Sequence, residues 1–307
     1  MNVPDGGGNT IRCTVAILCY NQADIIAETV RSALSQTRSA DEILVVDDGS
    51  TDESVAVLSA FEGITVIRHE GNRGRTATRN TLLESATGDV VVYLDGDTVA
   101  RPDFLAQLLP EYADPAVAAV GGQGVETRCE SVYDRWRVTY ATQSWGPDRR
   151  VDVPWLYGLA CSFRREVLET IGGFYGYAED LQVGYAIRAA GFRLTYVPGA
   201  VVEHRRQDDR ASFEHMLYRW WRGSFLVEKR WGKPALRHLG GELVVDHARH
   251  VAQHAVRRDW PMVSTDLRAA LAKVRGMRKG YSLWQVEKKT KGPHGQRRRD
   301  IQPSRPH

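Results

Sequence analysis

Over the first hundred residues, short unbroken apolar runs alternate with longer stretches in which apolar side chains recur every three or four positions. The runs "CTVAILCY" (13–20), "EILVVD" (42–47), "ITVIRH" (64–69) and "DVVVYLD" (89–95) are rich in β-branched residues and bounded by polar ones, the pattern of buried strands. Between them, "NQADIIAETVRSALSQT" sets Ile26, Val30, Ala33 and Leu34 at helical spacing. Ser50 and Glu53 stand at capping-box spacing and predict the start of a second helix, and "TATRNTLLESAT" predicts a third. Strand alternating with helix implies a Rossmann-like, doubly wound α/β fold with a mostly parallel sheet. Ligands of such sheets bind beyond the carboxyl ends of the strands. That edge gathers Tyr20, Asp47, Asp48, Asp95 and Asp97 from separate strands into one crevice.

The periodicity changes after Arg101. Residues 101–150 predict a helix, a strand at "AVAAVGG" and an unassigned aromatic stretch, with "GGQG" (121–124) as a turn. "WLYGLACSFRREVLETIGGF" predicts a strand or turn and a short helix. "EDLQVGYAIRAAGF" predicts a helix stopped by Gly191, and "RLTYVPGAVVEH" a strand interrupted at Pro198-Gly199. From Asp209 the chain is helical, with Trp220, Trp221 and Trp231 among arginines. The expected organisation is a disordered start (1–10), a catalytic domain (11–205, with a nucleotide-binding half 11–100 and an acceptor half 101–205), a helical region (206–275) and a flexible basic tail (276–307).

A net charge of +3 over 307 residues gives no nucleic-acid-binding signature. Four scattered cysteines form neither a zinc pattern nor a disulfide framework and fit a reducing compartment. There is no signal-peptide pattern at the N-terminus, and no apolar stretch approaches the ~20 residues of a membrane span. The expectation is a cytoplasmic protein. Lys288, Lys289, Lys291, Arg297, Arg298 and Arg299 suggest at most a weak contact with an anionic membrane surface.

The chemistry follows from the acids. Neither a P-loop nor a dinucleotide fingerprint is present, so glycine amides are not the phosphate ligands. Carboxylates approach a diphosphate favourably only through a cation, and a hard divalent ion takes oxygen ligands from both. Asp-Gly-Asp at 95–97 therefore suggests metal-mediated diphosphate binding, although the same residues also make a good turn.

Six segments stand in a telling order: "AILCYNQADIIAETVRSALSQT", "ILVVDDGSTDES", "NRGRTATRN", "GDVVVYLDGDT", "FRREVLETIGGF" and "AEDLQVGYAIRAAGFRLTYVPGAVVEH". Together they resemble glycosyltransferase family 2, the inverting GT-A enzymes, over about residues 11 to 205. The resemblance implies a GT-A fold, Mn2+ or Mg2+ as cofactor, and transfer of a hexosyl group from a nucleotide-sugar donor, UDP before GDP or dTDP. The acceptor would be a glycan, a lipid, a peptide or a small natural product.

Carried over by motif, Tyr20 packs on the base and Asp48 meets the uracil edge or ribose. Arg79 and Arg75 face the phosphates. Asp95 contacts ribose or sugar and stands beside the metal, Asp97 holds the metal, and His204 is a further metal ligand. Asp180 matches the general base, with Glu179 orienting the site. Arg164 and Trp220 are candidates for the acceptor side. The synthase motif Gln-x-x-Arg-Trp is incomplete, with Met216 at the glutamine position, which argues against a processive polymer synthase. The competing classes are a nucleotidyltransferase and a catalytically inactive sugar- or lipid-binding module.

Overall fold

The computed structural model describes residues 11–235 and 240–291. The expected disorder at 1–10 lies outside them. In the first half, strands β1 (Cys13–Cys19), β2 (Glu42–Asp47), β3 (Thr65–Arg68) and β4 (Val90–Asp95) alternate with helices α1 (Ile26–Leu34), α2 (Ser54–Leu58) and α3 (Arg75–Ser85). Next come β5 (Thr98–Ala100), α4 (Phe104–Leu108), β6 (Val117–Glu126), α5 (Val132–Tyr140), β7 (Arg150–Val151), β8 (Ala160–Arg164), α6 (Arg165–Thr170), α7 (Glu179–Ala189) and β9 (Arg193–His204). Helices α8 (Arg210–Arg230), α9 (His247–Val256) and α10 (Trp260–Lys291) follow the sheet.

The strands form one sheet in the order β3-β2-β1-β4-β8-β6-β9-β5, with β7 paired to β9. The first four strands pair in parallel, as expected. Beyond β4 the sheet is mixed: β8 runs antiparallel to both β4 and β6, and β6 runs parallel to β9. Alternate residues of β1 enter two cores. Val15 and Ile17 join Ile26 and Val30 of α1, while Ala16 and Leu18 join Leu82 and Leu83 of α3. Burial on both faces explains why β1, β2 and β4 are continuously apolar rather than alternating, whereas β3, at the sheet edge, is largely exposed. A third core of Trp136, Phe213, Met216, Leu217, Met262, Ala269 and Ala272 locks α5, α8 and α10 together.

Several expectations are corrected. Residues 121–124 do not turn; they continue β6. Nor does Pro198-Gly199 break β9, because a register shift opposite Gly121 and Gln123 absorbs the extra residues as a bulge. Ser50 does not cap α2: its hydroxyl accepts from Asn21 N at 2.9 Å, and Asp52 Oδ1 instead accepts from Ser54 N at 3.0 Å. Residues 276–291 are not a loose tail but the second half of α10, where Arg230 pairs with Glu287. Arg297, Arg298 and Arg299 lie outside the described residues. Among those residues no helix is long and apolar enough to cross a membrane.

Candidate active site

The carboxyl edge of the sheet brings together Tyr20, Asp95, Asp97 and His204, and α7 adds Glu179 and Asp180 from its first turn. Tyr20, just past β1, is 44% exposed and leaves a ring face open. Asp48 is tied to a neighbouring loop. Its carboxylate accepts from Arg73 N at 2.9 Å and Gly74 N at 2.8 Å, and His69 Nδ1 lies 2.7 Å away. Both oxygens are thus engaged by the 69–74 loop and the residue is buried, so Asp48 anchors that loop to the end of β2.

The two acids of Asp-Gly-Asp answer to different partners. Asp95 Oδ1 is 3.3 Å from Arg79 Nη2, and its Oδ2 is 3.8 Å from Arg75 Nη1. The same arginines reach Glu179 Oε1, Arg75 Nε at 3.3 Å and Arg79 Nη1 at 3.8 Å. Arg79 is 1% exposed and also donates to Gly158 O at 2.9 Å. A β-carbon at Gly158 would lie 2.8 Å from Arg79 Nη2, so only glycine leaves room for this reach. Burial disfavours the charge on Arg79, but Asp95 and Glu179 outweigh it and hold the guanidinium protonated.

Burial likewise opposes ionisation of Glu179, yet Arg79 and Arg75 prevail and keep its carboxyl below the usual range. The adjacent Asp180 behaves oppositely. Burial, and then the negative charge of Glu179, push its carboxyl above the ordinary aspartate value. Its Oδ1 accepts from Leu181 N at 2.9 Å, and no ion pair reaches it among the described residues. Neighbouring carboxylates with opposite shifts are the usual sign of divided labour between a positioning group and a base.

Asp97 Oδ2 faces His204 Nε2 at 3.5 Å. The other ring nitrogen, Nδ1, lies 2.9 Å from Glu126 Oε1, and Glu126 in turn pairs with Arg137 at 3.0 Å. Burial disfavours the imidazolium, but Asp97 and Glu126 overcome it and raise His204 to about 9. The Glu126 carboxylate holds Nδ1–H and so orients Nε2 towards Asp97, the usual support of a metal-ligating histidine; the Nε2 proton must leave before that nitrogen can bind a cation. Asp97 and His204 thus bring together an oxygen and a nitrogen donor of the kinds that suit Mn2+ or Mg2+, and Asp95 precedes Asp97 by two positions.

Arg164 is excluded from this cleft. It pairs with Val90, at the opposite end of β4 from Asp95, and donates to the carbonyls of Val117, Tyr112 and Asp114. Its task is to hold the turn before β6. Trp220 is 40% exposed on α8, beside Arg219. The charges of Arg75 and Glu179 act on Arg219, which sets that side chain at the border of the cleft, while Trp220 follows about 100° around the helix. Sequence reasoning missed Glu126, Gly158 and Gln143, whose Nε2 donates to Glu126 Oε1 at 2.9 Å. Glu126 had a readable signal, a carboxylate at the end of an apolar run, and it stands directly opposite His204 in the sheet register.

Comparison with known proteins gives this geometry its context. A glucosyl-dolichyl phosphate glucuronosyltransferase of Haloferax volcanii is 30% identical over 239 residues, covering 70% of this chain and 74% of that protein. A pre-mycofactocin glycosyltransferase of Mycobacterium tuberculosis is 31% identical over 212 residues, covering 66% of this chain but 44% of its own length. Among solved structures, a mannosyltransferase from Pyrobaculum calidifontis in complex with GDP-Man and Mn2+ shares the fold with a TM-score of 0.61 at 22% identity, covering 86% of this chain and 87% of that one. The model of glycosyl transferase family 2 matches residues 14–172, from β1 to the turn after α6, and so includes Arg79, Asp95 and Asp97. Since that match spans more than half of the chain, the protein belongs to glycosyl transferase family 2 and is a nucleotide-sugar glycosyltransferase.

Proposed function

We propose that the enzyme inverts the anomeric carbon in a single displacement, with a UDP-sugar as the first donor to test, a divalent cation at Asp97 and His204, and Asp180 as general base. The observation that carries the reading is the split between adjacent acids: Glu179 is neutralised by two arginines, while Asp180 has no ion-pair partner among the described residues and has a raised pKa. An acceptor hydroxyl is a poor nucleophile at neutral pH. Asp180 takes its proton as the oxygen bonds to the anomeric carbon, and the nucleoside diphosphate departs from the opposite face. Tyr20 offers a ring face to the base. Asp95, held by Arg79 and Arg75, is placed for the ribose or sugar hydroxyls, and both arginines stand near the departing phosphates. Mn2+ or Mg2+, when bound, supplies positive charge to the leaving diphosphate.

The acceptor would enter along α8, past Arg219 and Trp220. The Haloferax relative bears the name of an enzyme acting on a dolichyl-phosphate-linked sugar, so lipid-linked sugars stand first among acceptors to screen, followed by glycans, peptides and small natural products. Replacing Asp180 by Asn should lower kcat by ~10²–10⁴-fold, the usual worth of a general base, and leave UDP affinity near wild type. Steady-state kinetics, UDP titration and NMR of the product anomer test this together. Near-normal turnover of Asp180→Asn, or a product that retains the donor configuration, would exclude the mechanism.

A further inference from the structure

Away from the cleft, three histidines of "HARHVAQH" recur at positions 247, 250 and 254, which places them on one face of α9. They surround Asp266 of α10, which is 0% exposed, and His247 and His254 are also buried. One ligand atom each from His247, His250 and Asp266 can be chosen so that all three lie within 4.8 Å of one another. His247 Nδ1 is 3.6 Å and His250 Nδ1 3.5 Å from Asp266 Oδ1, and His254 Nε2 is 3.6 Å from Oδ2.

These contacts are not satisfied hydrogen bonds. Both ring nitrogens of His247, Nδ1 of His250 and Oδ2 of Asp266 are buried and lack a hydrogen-bond partner among the described residues. Polar atoms that converge at low exposure without pairing need a guest or a compensating charge. The spacing suits a cation. Ligands at 2.0–2.1 Å around a tetrahedral ion lie about 3.3–3.4 Å apart, close to the 3.5–3.6 Å between each histidine and the Asp266 carboxylate. The surroundings supply the outer support that metal sites use. Trp136 Nε1 donates to Asp266 Oδ1 at 2.6 Å, and the Tyr140 ring stacks on His250 with centroids 3.7 Å apart. The Tyr140 hydroxyl lies 2.6 Å from His254 Nε2 and occupies that nitrogen when no cation is present.

We propose that His247, His250 and Asp266 form a second metal site that takes one Zn2+, with His254 completing it once Nε2 leaves the Tyr140 hydroxyl. Imidazoles and a carboxylate are borderline donors that suit zinc better than the Mn2+ or Mg2+ expected in the cleft. With His254 recruited, four protein ligands would leave no open position, and the ion would be structural, pinning α9 and α10 against α5.

The test separates this site from the catalytic one. The full chain carrying Asp97→Asn, which disables the cleft, is stripped with EDTA and titrated with Zn2+ and with Co2+ as a spectroscopic substitute. The expected result is one Zn2+ per chain by elemental analysis, a Co2+ spectrum of tetrahedral intensity and a melting temperature raised by Zn2+. Adding His250→Gln, a conservative change at the most exposed ligand, should abolish all three while the far-UV circular dichroism stays unchanged. If the Asp97→Asn protein retains no Zn2+ after dialysis, or if His250→Gln binds it equally well, the site is only a cluster of buried polar groups.

Discussion

Asp95 and Asp97 are separated by one residue, yet the first is held by two arginines and the second faces a histidine. This division was half legible in the sequence. The acids end one apolar run and announce themselves, and Arg79 and Arg75 lie on the helix just before it. Glu126 was missed because its hydrogen bond to His204 spans 78 positions and only the sheet register brings the two together. Asp48 was assigned to the nucleotide because a carboxylate at a strand end suits that task; the 69–74 loop engages it first, and nothing local predicts that closure. Two predictions belong at this scale. The charge of Glu179 helps to raise Asp180, and a base with a raised pKa loses activity as the pH falls through that value. The acid limb of kcat/KM should therefore lie above the ~3.9 of an ordinary aspartate, and Glu179→Gln should move it to lower pH. A limb unmoved in the variant would dissociate Glu179 from the base. Glu126→Gln should weaken Mn2+ binding by about 10–100-fold, because the imidazole of His204 loses its orienting partner. Calorimetric titration in the presence of UDP measures the change, and equal affinities would remove Glu126 from the metal's support.

Among the elements, the first four strands and three helices lie close to where the apolar runs placed them, because β1, β2 and β4, buried on both faces, leave a strong and simple pattern. What lay hidden was non-local: the antiparallel insertion of β8 between β4 and β6, the bulge that carries β9 past Pro198-Gly199, and the extent of α10. The last was obscured by composition, since a lysine-rich segment looks solvated until its partner is known. Here the partner is α8. A β-carbon on Gly276 would lie 2.5 Å from Tyr218 O, and one on Gly280 would lie 2.8 Å from Arg222 O. Two glycines four residues apart let the helix backbones touch. Gly276→Val should force them apart and destabilise the protein by about 1–3 kcal/mol, the usual range for overpacking. Urea denaturation measures this, and an unchanged midpoint would mean that the crossing yields without cost.

At the scale of the whole molecule, a sheet with arginine-balanced acids at one edge is flanked by a helical layer built from α5, α8 and α10, which under the proposed mechanism would wall the acceptor side. Family and fold could be recognised from motif order alone; the way the last third closes over the cleft could not, because its contacts join residues far apart in sequence. That closure has a consequence for how the protein comes apart. Helix α10 lies along α8 and completes the core around Trp136, so these helices share their buried surface rather than each possessing one. In hydrogen-exchange terms they are expected to behave as a single foldon, its amides opening together and apart from those of β1, β2 and β4, which exchange mass spectrometry would show. A chain ended at Arg278 would lose Gly280 and the Arg230–Glu287 pair, and with them part of the seat of α8. Fast exchange would then spread along α8 to the turn bearing Arg219 and Trp220, and the acceptor wall would become the part of the enzyme that breathes.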